Sequence, residues 1–314
     1  MLKLSLSTFT FFKVTTTRSA KNIPKIPVCS IKLRYFSYHS LPSTQIGPFK
    51  VYYNNKEAME RTVLGIFKKK HCSYEFKTKN TRPRIYDAGA YIGLTPLYFK
   101  RLYPQANITC FEADPTVFPI LKMNVEYNKL NDITLINAAV SDEEKEHIPF
   151  YGQIYQKNQD ARGNSIIKIW GQRDDSDEVA VRSVKLSTYF PKEGSVDFLK
   201  LNIEGAEYRV LKELASAKKL DQINAMTVKV HMADGMEEAN NLDVITGLLR
   251  DFGFDYSIMS KGNGQQVLPK AMQAWAKRVS PSFYTIRAIR PSRSVMEMIR
   301  ISKPVVHNFS NVPK

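Results

Sequence analysis

Not one acidic residue stands between Met1 and Lys56; the first is Glu57. Cysteine is scarce as well: the 314 residues hold Cys29, Cys72 and Cys110, with no C-x-x-C pair and no His at a spacing suited to zinc. A disulfide scaffold and a structural metal centre both lack their ligands, so no metal is expected. Long apolar runs are missing too. The nearest approach, Leu4 to Phe12, is short and broken by Ser and Thr, far from the roughly 18 or more apolar residues a membrane span requires. No small-x-small cleavage site closely follows that run, which argues against a secretory leader. What remains is a globular chain of enzyme size, 43% hydrophobic, with 46 Lys+Arg against 30 Asp+Glu and a formal charge of +16. That is enough apolar material for a substantial core.

The charge is unevenly placed. Lys3, Lys13, Arg18, Lys21, Lys25, Lys32 and Arg34 sit in an acid-free, Ser/Thr-rich stretch, the composition of a mitochondrial transit peptide. Arg34-Tyr35-Phe36-Ser37 resembles a matrix processing site, with Arg two positions before the residue cut after. Residues 1–36 are therefore expected to be an import signal and the chain to reside in the matrix or facing it. The other reading is a disordered basic arm for RNA, lipid or a partner subunit. Removing those seven bases takes the charge from +16 to +9, so most of an apparent nucleic-acid footprint weakens. Nucleic acid is not excluded, because Arg287, Arg290, Arg293, Arg300 and Lys303 keep the C-terminal end basic; no nucleic-acid motif accompanies them.

After an N-terminal extension over 37–83, residues 84–291 alternate strand-length apolar runs with amphipathic helical stretches, the pattern of a parallel α/β sheet covered on both faces. Arg84 to Asp87 and Ile108 to Glu112 read as strands that end in acids. A helix with Leu94, Leu97, Tyr98 and Leu102 on one face lies between them. Asp114-Pro115 supplies an N-cap and a first-turn proline for the next helix, and Ile133 to Val140 reads as the third strand. From about 147 to 186 the rhythm lapses, and an inserted hairpin or small antiparallel layer is expected, with Ser165 to Trp170 among its β-rich runs. Val196 to Ile203 restores the pattern as strand four. A helix over about 206–219, a fifth strand from Ala225 to His231, a helix closed by Gly253 and a last strand from Phe283 to Ile289 complete it. Residues 292–314 read as a basic tail.

Open α/β sheets bind ligands at the carboxyl ends of their strands, beside the switch in strand order. The loop there is Asp87-Ala88-Gly89-Ala90-Tyr91-Ile92-Gly93. It lacks the G-x-G-x-x-G that brings a pyrophosphate against a helix N-terminus. Two glycines four apart, after an acid, suit a cofactor without pyrophosphate whose cationic amino-acid part wants a carboxylate beside a bare turn. Glu112, nineteen residues after Gly93 at the tip of the second strand, can accept both ribose hydroxyls. Together these features describe an S-adenosylmethionine pocket. The loop alone is equally a tight turn that needs glycine for backbone reasons.

These segments, with Phe111-Glu112-Ala113-Asp114-Pro115, Asn137-Ala138-Ala139-Val140-Ser141-Asp142 and the block from Val196 to Glu207, resemble the ordered motifs of the FkbM family of S-adenosylmethionine-dependent methyltransferases. The resemblance covers about residues 84–290, and the Lys200 to Glu207 block is its family-specific part. It implies a Rossmann-like class I methyltransferase: a seven-stranded, mostly parallel sheet with an antiparallel last strand, methylating a hydroxyl. It places Asp87, Gly89, Ala90 and Gly93 around the methionine part, Glu112 on the ribose, Asn137 near the adenine edge and Asn202 in the cofactor pocket.

The departures concern chemistry. Asn202, Lys229 and Ser187 stand where the family usually has acids, and all three are expected on the acceptor side. An Asn cannot act as a general base. His231, at the tip of strand five, could take the proton of a hydroxyl acceptor, although a lone His at a strand end commonly serves as a structural hydrogen-bonding group. Glu207 is explained by the helix dipole and by capping; Glu204 is the better candidate to face the pocket. Trp170, Tyr151 and Tyr155 could shape an acceptor site or simply pack. Two functions follow. One is a mitochondrial O-methyltransferase with an unidentified acceptor. The other, motivated by the lost acids and the basic ends, is a methyltransferase fold kept as an accessory subunit of a mitochondrial assembly such as a respiratory complex or mitoribosome.

Overall fold

The structure, a computed structural model, describes residues 41–67, 74–155, 158–172, 176–260 and 281–291. The expected import segment and the basic tail lie outside the described residues. The described chain opens with a hairpin, β1 (Ser43–Ile46) and β2 (Phe49–Tyr52), and helix α1 (Lys56–Ile66). The side chain of Asn55 caps α1 by accepting from the Ala58 amide at 2.8 Å. Then come β3 (Arg84–Ala88), α2 (Leu94–Leu102), β4 (Asn107–Glu112), α3 (Phe118–Tyr127) and β5 (Ile133–Asn137). A second layer follows, made of β6 (Ala139–Ser141), β7 (Lys145–Gly152), the single turn α4 (Lys168–Gly171) and β8 (Asp177–Lys185). The chain returns through β9 (Val196–Leu201), α5 (Glu207–Ser216), β10 (Ile223–Met232), α6 (Leu242–Asp251), β11 (Asp255–Ser260) and β12 (Ser282–Ile289).

The central sheet has seven strands in the order β11-β12-β10-β9-β3-β4-β5. β12 runs antiparallel to both its neighbours, and the pairs β10 with β9, β9 with β3, β3 with β4 and β4 with β5 are parallel. This is the expected α/β sheet with its reversed last strand. Alternation along β3 and β9 sorts side chains to two faces: Ile85 and Phe198 join the cluster beneath α1, α2 and α3, while Tyr86, Ala88, Leu199 and Leu201 join the one beneath α5 and α6. Gly253, at φ +73, ends α6 as expected, with the Phe254 amide reaching back to Leu249 O at 2.9 Å.

Four details differ from the sequence reading. The single strand expected over Ile133 to Val140 breaks at Ala138, so that β5 edges the main sheet and β6 pairs with β8 in the second one. Ser165 to Trp170 is not a strand: only Ser165 bridges to Tyr151, and the chain then turns into α4. Those residues alternate by composition, but Ser165 Oγ accepts from the Ile167 amide at 2.8 Å and bends the chain there. Asp114 organises a turn rather than the first residue of α3. Its Oδ1 accepts from the Thr116 and Val117 amides at 2.8 and 3.3 Å, and the helix begins at Phe118. β11 is an additional edge strand that the sequence reading did not name. The hairpin and α1 join the main core through Val51, Met59, Val63 and Ile66. The edge of β2 is met not by a strand but by α3, where Asn124 Oδ1 accepts from the Tyr52 amide at 2.7 Å and Asn128 Oδ1 from the Lys50 amide at 3.0 Å.

At the centre of the sheet, Lys200 on β9 donates to Asp87 Oδ1 at 2.6 Å and to Gly89 O at 2.7 Å. Asp87 is fully buried and Lys200 is 3% exposed. Removing one member of such a pair strands a charge in a low-dielectric interior. Lys200→Met is therefore expected to lower unfolding stability by about 3–5 kcal/mol, read as a reduced urea midpoint with unchanged slope.

Candidate active site

β3 and β9 are neighbours in the sheet but far apart in sequence, and the chain leaves their carboxyl ends in opposite directions. A crevice opens there, lined from both loops and from the inserted segment. Its floor is two interlocked loops. Gly89 has φ +81, and a Cβ at that position would lie 2.0 Å from Asn202 O. Only glycine permits so close an approach of the two backbones. The loop amides are occupied: Gly89 and Ala90 both donate to Phe111 O at 3.0 and 2.9 Å, and Gly93 donates to Ala90 O at 3.0 Å. Tyr91 and Glu204 hold left-handed conformations, φ 52 and 56, one in each loop.

Glu112 lines the crevice at the tip of β4. Its two oxygens accept from the Tyr91 amide at 2.7 Å and the Asp114 amide at 2.9 Å, which fixes the carboxylate while leaving lone pairs for a ligand diol. Burial, reinforced by the nearby Asp114 charge, pushes its pKa up to about 7. Ala138, Ala139 and Val140 give an apolar wall beside it. The roof comes from the inserted segment, through Phe150, Arg162, Asn164 and Ile166. Hydrogen bonds hang this roof: Asn55 Nδ2 donates to Asn158 O at 2.6 Å, Gln159 Nε2 to Thr116 Oγ1 at 2.5 Å, Asn164 Nδ2 to Asp114 Oδ2 at 2.9 Å and Ser165 Oγ to Glu204 O at 2.6 Å.

Of the residues expected in the site, Gly89, Glu112, Asn202 and Glu204 line the crevice. The rest stand behind it or beside it. Asp87 is not among the residues that line the crevice: its Oδ1 pairs with the buried Lys200 ammonium on the next strand, while its Oδ2 is buried without a partner. Ala90 is buried in the core beneath the loop. Gly93, at φ +91, starts α2, and a Cβ there would lie 2.8 Å from Leu121 Cδ1. Asn137 is exposed and donates to Glu112 O at 2.8 Å, so the wall falls to the three residues that follow it. The three altered positions do not gather on one side. Only Asn202 lines the crevice; Ser187 Oγ donates to Glu213 on α5, and Lys229 lies over the Tyr74 ring at 5.7 Å.

His231 does not line the crevice, and it is 5% exposed. It lies between two carboxylates, Nδ1 at 2.8 Å from Glu207 Oε1 and Nε2 at 3.4 Å from Glu204 Oε2. Burial alone would lower its pKa; the two carboxylates outweigh burial and raise it. His231 bridges Glu207 and Glu204 and so orients Glu204 from behind the crevice. Glu207 is saturated by the Ile203 and Gly205 amides, both at 3.1 Å, and by Asn240 Nδ2 at 2.7 Å. Glu204 is also steadied by Trp170 Nε1 at 3.1 Å and Asn202 Nδ2 at 3.3 Å. Trp170 is fully buried and edge-on to His231, while Tyr155 is exposed. Arg162 and Tyr91 are the crevice residues the sequence reading passed over. Tyr91 lay within the quoted loop, but no local pattern marks which residue of an insertion folds back over a sheet.

The sheet and the crevice at its switch point define a Rossmann-like methyltransferase of class I. The chain belongs to the FkbM methyltransferase family: residues 87–256, more than half its length, match the methyltransferase FkbM domain. Methyltransferase sdnD of Sordaria araneosa is 28% identical over 211 residues, covering 59% of this chain and 78% of that one. Methyltransferase 1 of Beauveria bassiana (strain ARSEF 2860) is 30% identical over 143 residues, covering 41% of this chain and 57% of that relative. Among solved structures, methyltransferase FkbM from Methylobacillus flagellatus KT aligns with a TM-score of 0.41 at 14% identity, over 67% of this chain and 45% of that one. P. horikoshii TYW2 in complex with MeSAdo aligns with a TM-score of 0.39 at 12% identity, over 80% and 72% of the two chains.

The raised pKa of Glu112 has a consequence for stability. The folded chain keeps that proton up to about pH 7, whereas a carboxyl at its ordinary value of 4.5 loses it earlier. The contribution of Glu112 is thus fully present below pH 4.5 and is lost as the pH rises through 7. Glu112→Gln is expected to flatten the fall in stability between pH 5 and pH 7, measured as urea midpoints of variant and parent across that range.

Proposed function

We propose that this methyltransferase uses S-adenosylmethionine to methylate a hydroxyl oxygen, with Glu204 as the base. The observation that carries the cofactor reading is a set of buried polar atoms with no partner in the protein. Asn202 Oδ1 and the Tyr91 hydroxyl are buried without a hydrogen bond, and both residues line the crevice beside Gly89. Leaving such atoms unsatisfied is costly, and an amino-acid arm bearing both an ammonium and a carboxylate satisfies them. Glu112 then accepts from the ribose diol, with the apolar wall of Ala138 to Val140 against the base. The residues fit the cofactor: Asn202 Oδ1 offers the acceptor to the ammonium, with the Asp87 carboxylate, whose Oδ2 is likewise buried without a partner, on the adjoining strand β3.

When bound, the cofactor supplies a methyl group on a sulfonium, open to in-line attack. The chain must hold the acceptor oxygen in line and remove its proton. Glu204 is the acid that lines the crevice at the β9 end, and it is held by groups from three elements: Trp170, His231 and Asn202. Glu204 is placed to accept the proton of the acceptor hydroxyl, and the contacts from Trp170, His231 and Asn202 fix its direction. A mitochondrial setting is part of the proposal and rests on the acid-free, basic composition of residues 1–36; mass spectrometry of the native protein's N-terminus tests it, with a start near Ser37 expected.

Calorimetric titration with S-adenosylmethionine tests the cofactor. The parent should bind, and Gly89→Val, which drives a side chain into Asn202 O, should not. Transfer of an isotope-labelled methyl group into a mitochondrial extract, with the product's methyl shift read by NMR, distinguishes oxygen from nitrogen, carbon or sulfur as the acceptor atom. Glu204→Gln should keep cofactor affinity within a few-fold and lower kcat by about 10²–10⁴. A variant with unchanged kcat would remove Glu204 from the chemistry.

A further inference from the structure

We infer that Arg162, reaching down from the inserted segment, forms with the Tyr91 hydroxyl the seat for the carboxylate of the cofactor's amino-acid arm. The inference rests on the cofactor reading above. It starts from the floor of the crevice, where the Gly89, Ala90, Tyr91 and Gly93 amides already donate within the protein. Those four amides are not free to cradle an anion, and the donors on offer to a carboxylate are side chains that line the crevice.

Two such donors line the crevice. The Tyr91 hydroxyl is buried and unpartnered. Arg162 grips Asp160 side-on, Nε at 2.8 Å and Nη2 at 2.5 Å from its two oxygens. That geometry uses one long edge of the guanidinium and leaves the end-on edge, Nη1 and the second Nη2 hydrogen, to make a bidentate pair with a carboxylate. Asp160 holds the fork in a single orientation, which lowers the entropy cost of ordering a long side chain around a ligand. The opposite requirement is met by Asn202 Oδ1, an unpartnered acceptor for the ammonium. Donors from the roof and an acceptor from the floor together match a zwitterion. Glu112 and Glu204 are the carboxylates lining the same crevice, so Arg162 is the cation there that an anionic group can meet. The roof is thereby assigned a role in cofactor binding as well as in covering the site.

An acceptor molecule bearing a carboxylate would present the same chemistry to Arg162, and the test separates the two sources. S-adenosylmethionine and decarboxylated S-adenosylmethionine differ by the carboxylate alone. Both are titrated calorimetrically into the full chain, into Arg162→Gln and into Tyr91→Phe. The parent should prefer S-adenosylmethionine by about ten- to hundredfold, the effect of a charge-assisted hydrogen bond. Arg162→Gln should lose that preference by weakening S-adenosylmethionine while leaving the decarboxylated ligand unchanged. Tyr91→Phe, which removes one hydroxyl without disturbing the Asp160 pair, should lose part of it. Equal weakening of both ligands in Arg162→Gln would mean that the roof merely packs, and the inference fails. Unchanged affinities in both variants would also overturn it and turn Arg162 toward the acceptor. A parent that binds neither ligand would sink the cofactor reading itself, a result distinct from the other two.

Discussion

The contact between Lys200 and Asp87 is the constraint around which the site is built. It joins β9 to β3 at the level where both strands end, and the same ammonium also holds Gly89 O. The loop after β3 is thereby drawn under the loop after β9, close enough that Gly89 and Asn202 O leave no room for a side chain. Tyr91 stands on the first of those loops and Asn202 and Glu204 on the second, and Glu112, at the tip of β4, is tied to the first through the Tyr91 amide. One oxygen of the Asp87 carboxylate is spent on this alignment, and Asn202 and Glu204, after β9, line the crevice beside it.

A second polar cluster acts one layer behind. Glu207 collects two backbone amides, an Asn amide and the His231 ring, and the His231 ring in turn steadies Glu204. With its hydrogen bonds taken up on all sides, Glu207 fixes the orientation of His231. The result is a graded arrangement from a fully buried, saturated acid to a partly open one. The open member is the one placed to do chemistry.

The sheet was legible because its signals are local. Apolar runs ending in Asp87 and Glu112, the Asp-x-Gly-x-x-x-Gly spacing and the Gly253 stop each follow from short-range rules of strand, turn and helix. The site was legible in part. Gly89, Glu112, Asn202 and Glu204 sit where expected, since strand ends at a switch point must face the crevice. Position along the chain does not fix the directions of Asp87, His231, Ser187 and Lys229, which are set by partners distant in sequence: Lys200, the Glu204 and Glu207 pair, Glu213 and the Tyr74 ring. Lys200 lies 113 residues from Asp87, and no local pattern announces that pairing. The break after Asn137 and the fold of the insertion are invisible for the same reason, as β-rich composition does not say which sheet a strand will join.

The floor and roof differ in how they are attached, and that difference bears on how such a site can change over evolutionary time. The floor is welded by buried charge and close backbone contact, so almost any alteration there disturbs the sheet. The roof is suspended from Asn55, Thr116, Asp114 and the Glu204 carbonyl by individual hydrogen bonds, each replaceable at modest cost. New acceptors can therefore be explored by rewriting one inserted segment while the fold beneath stays intact.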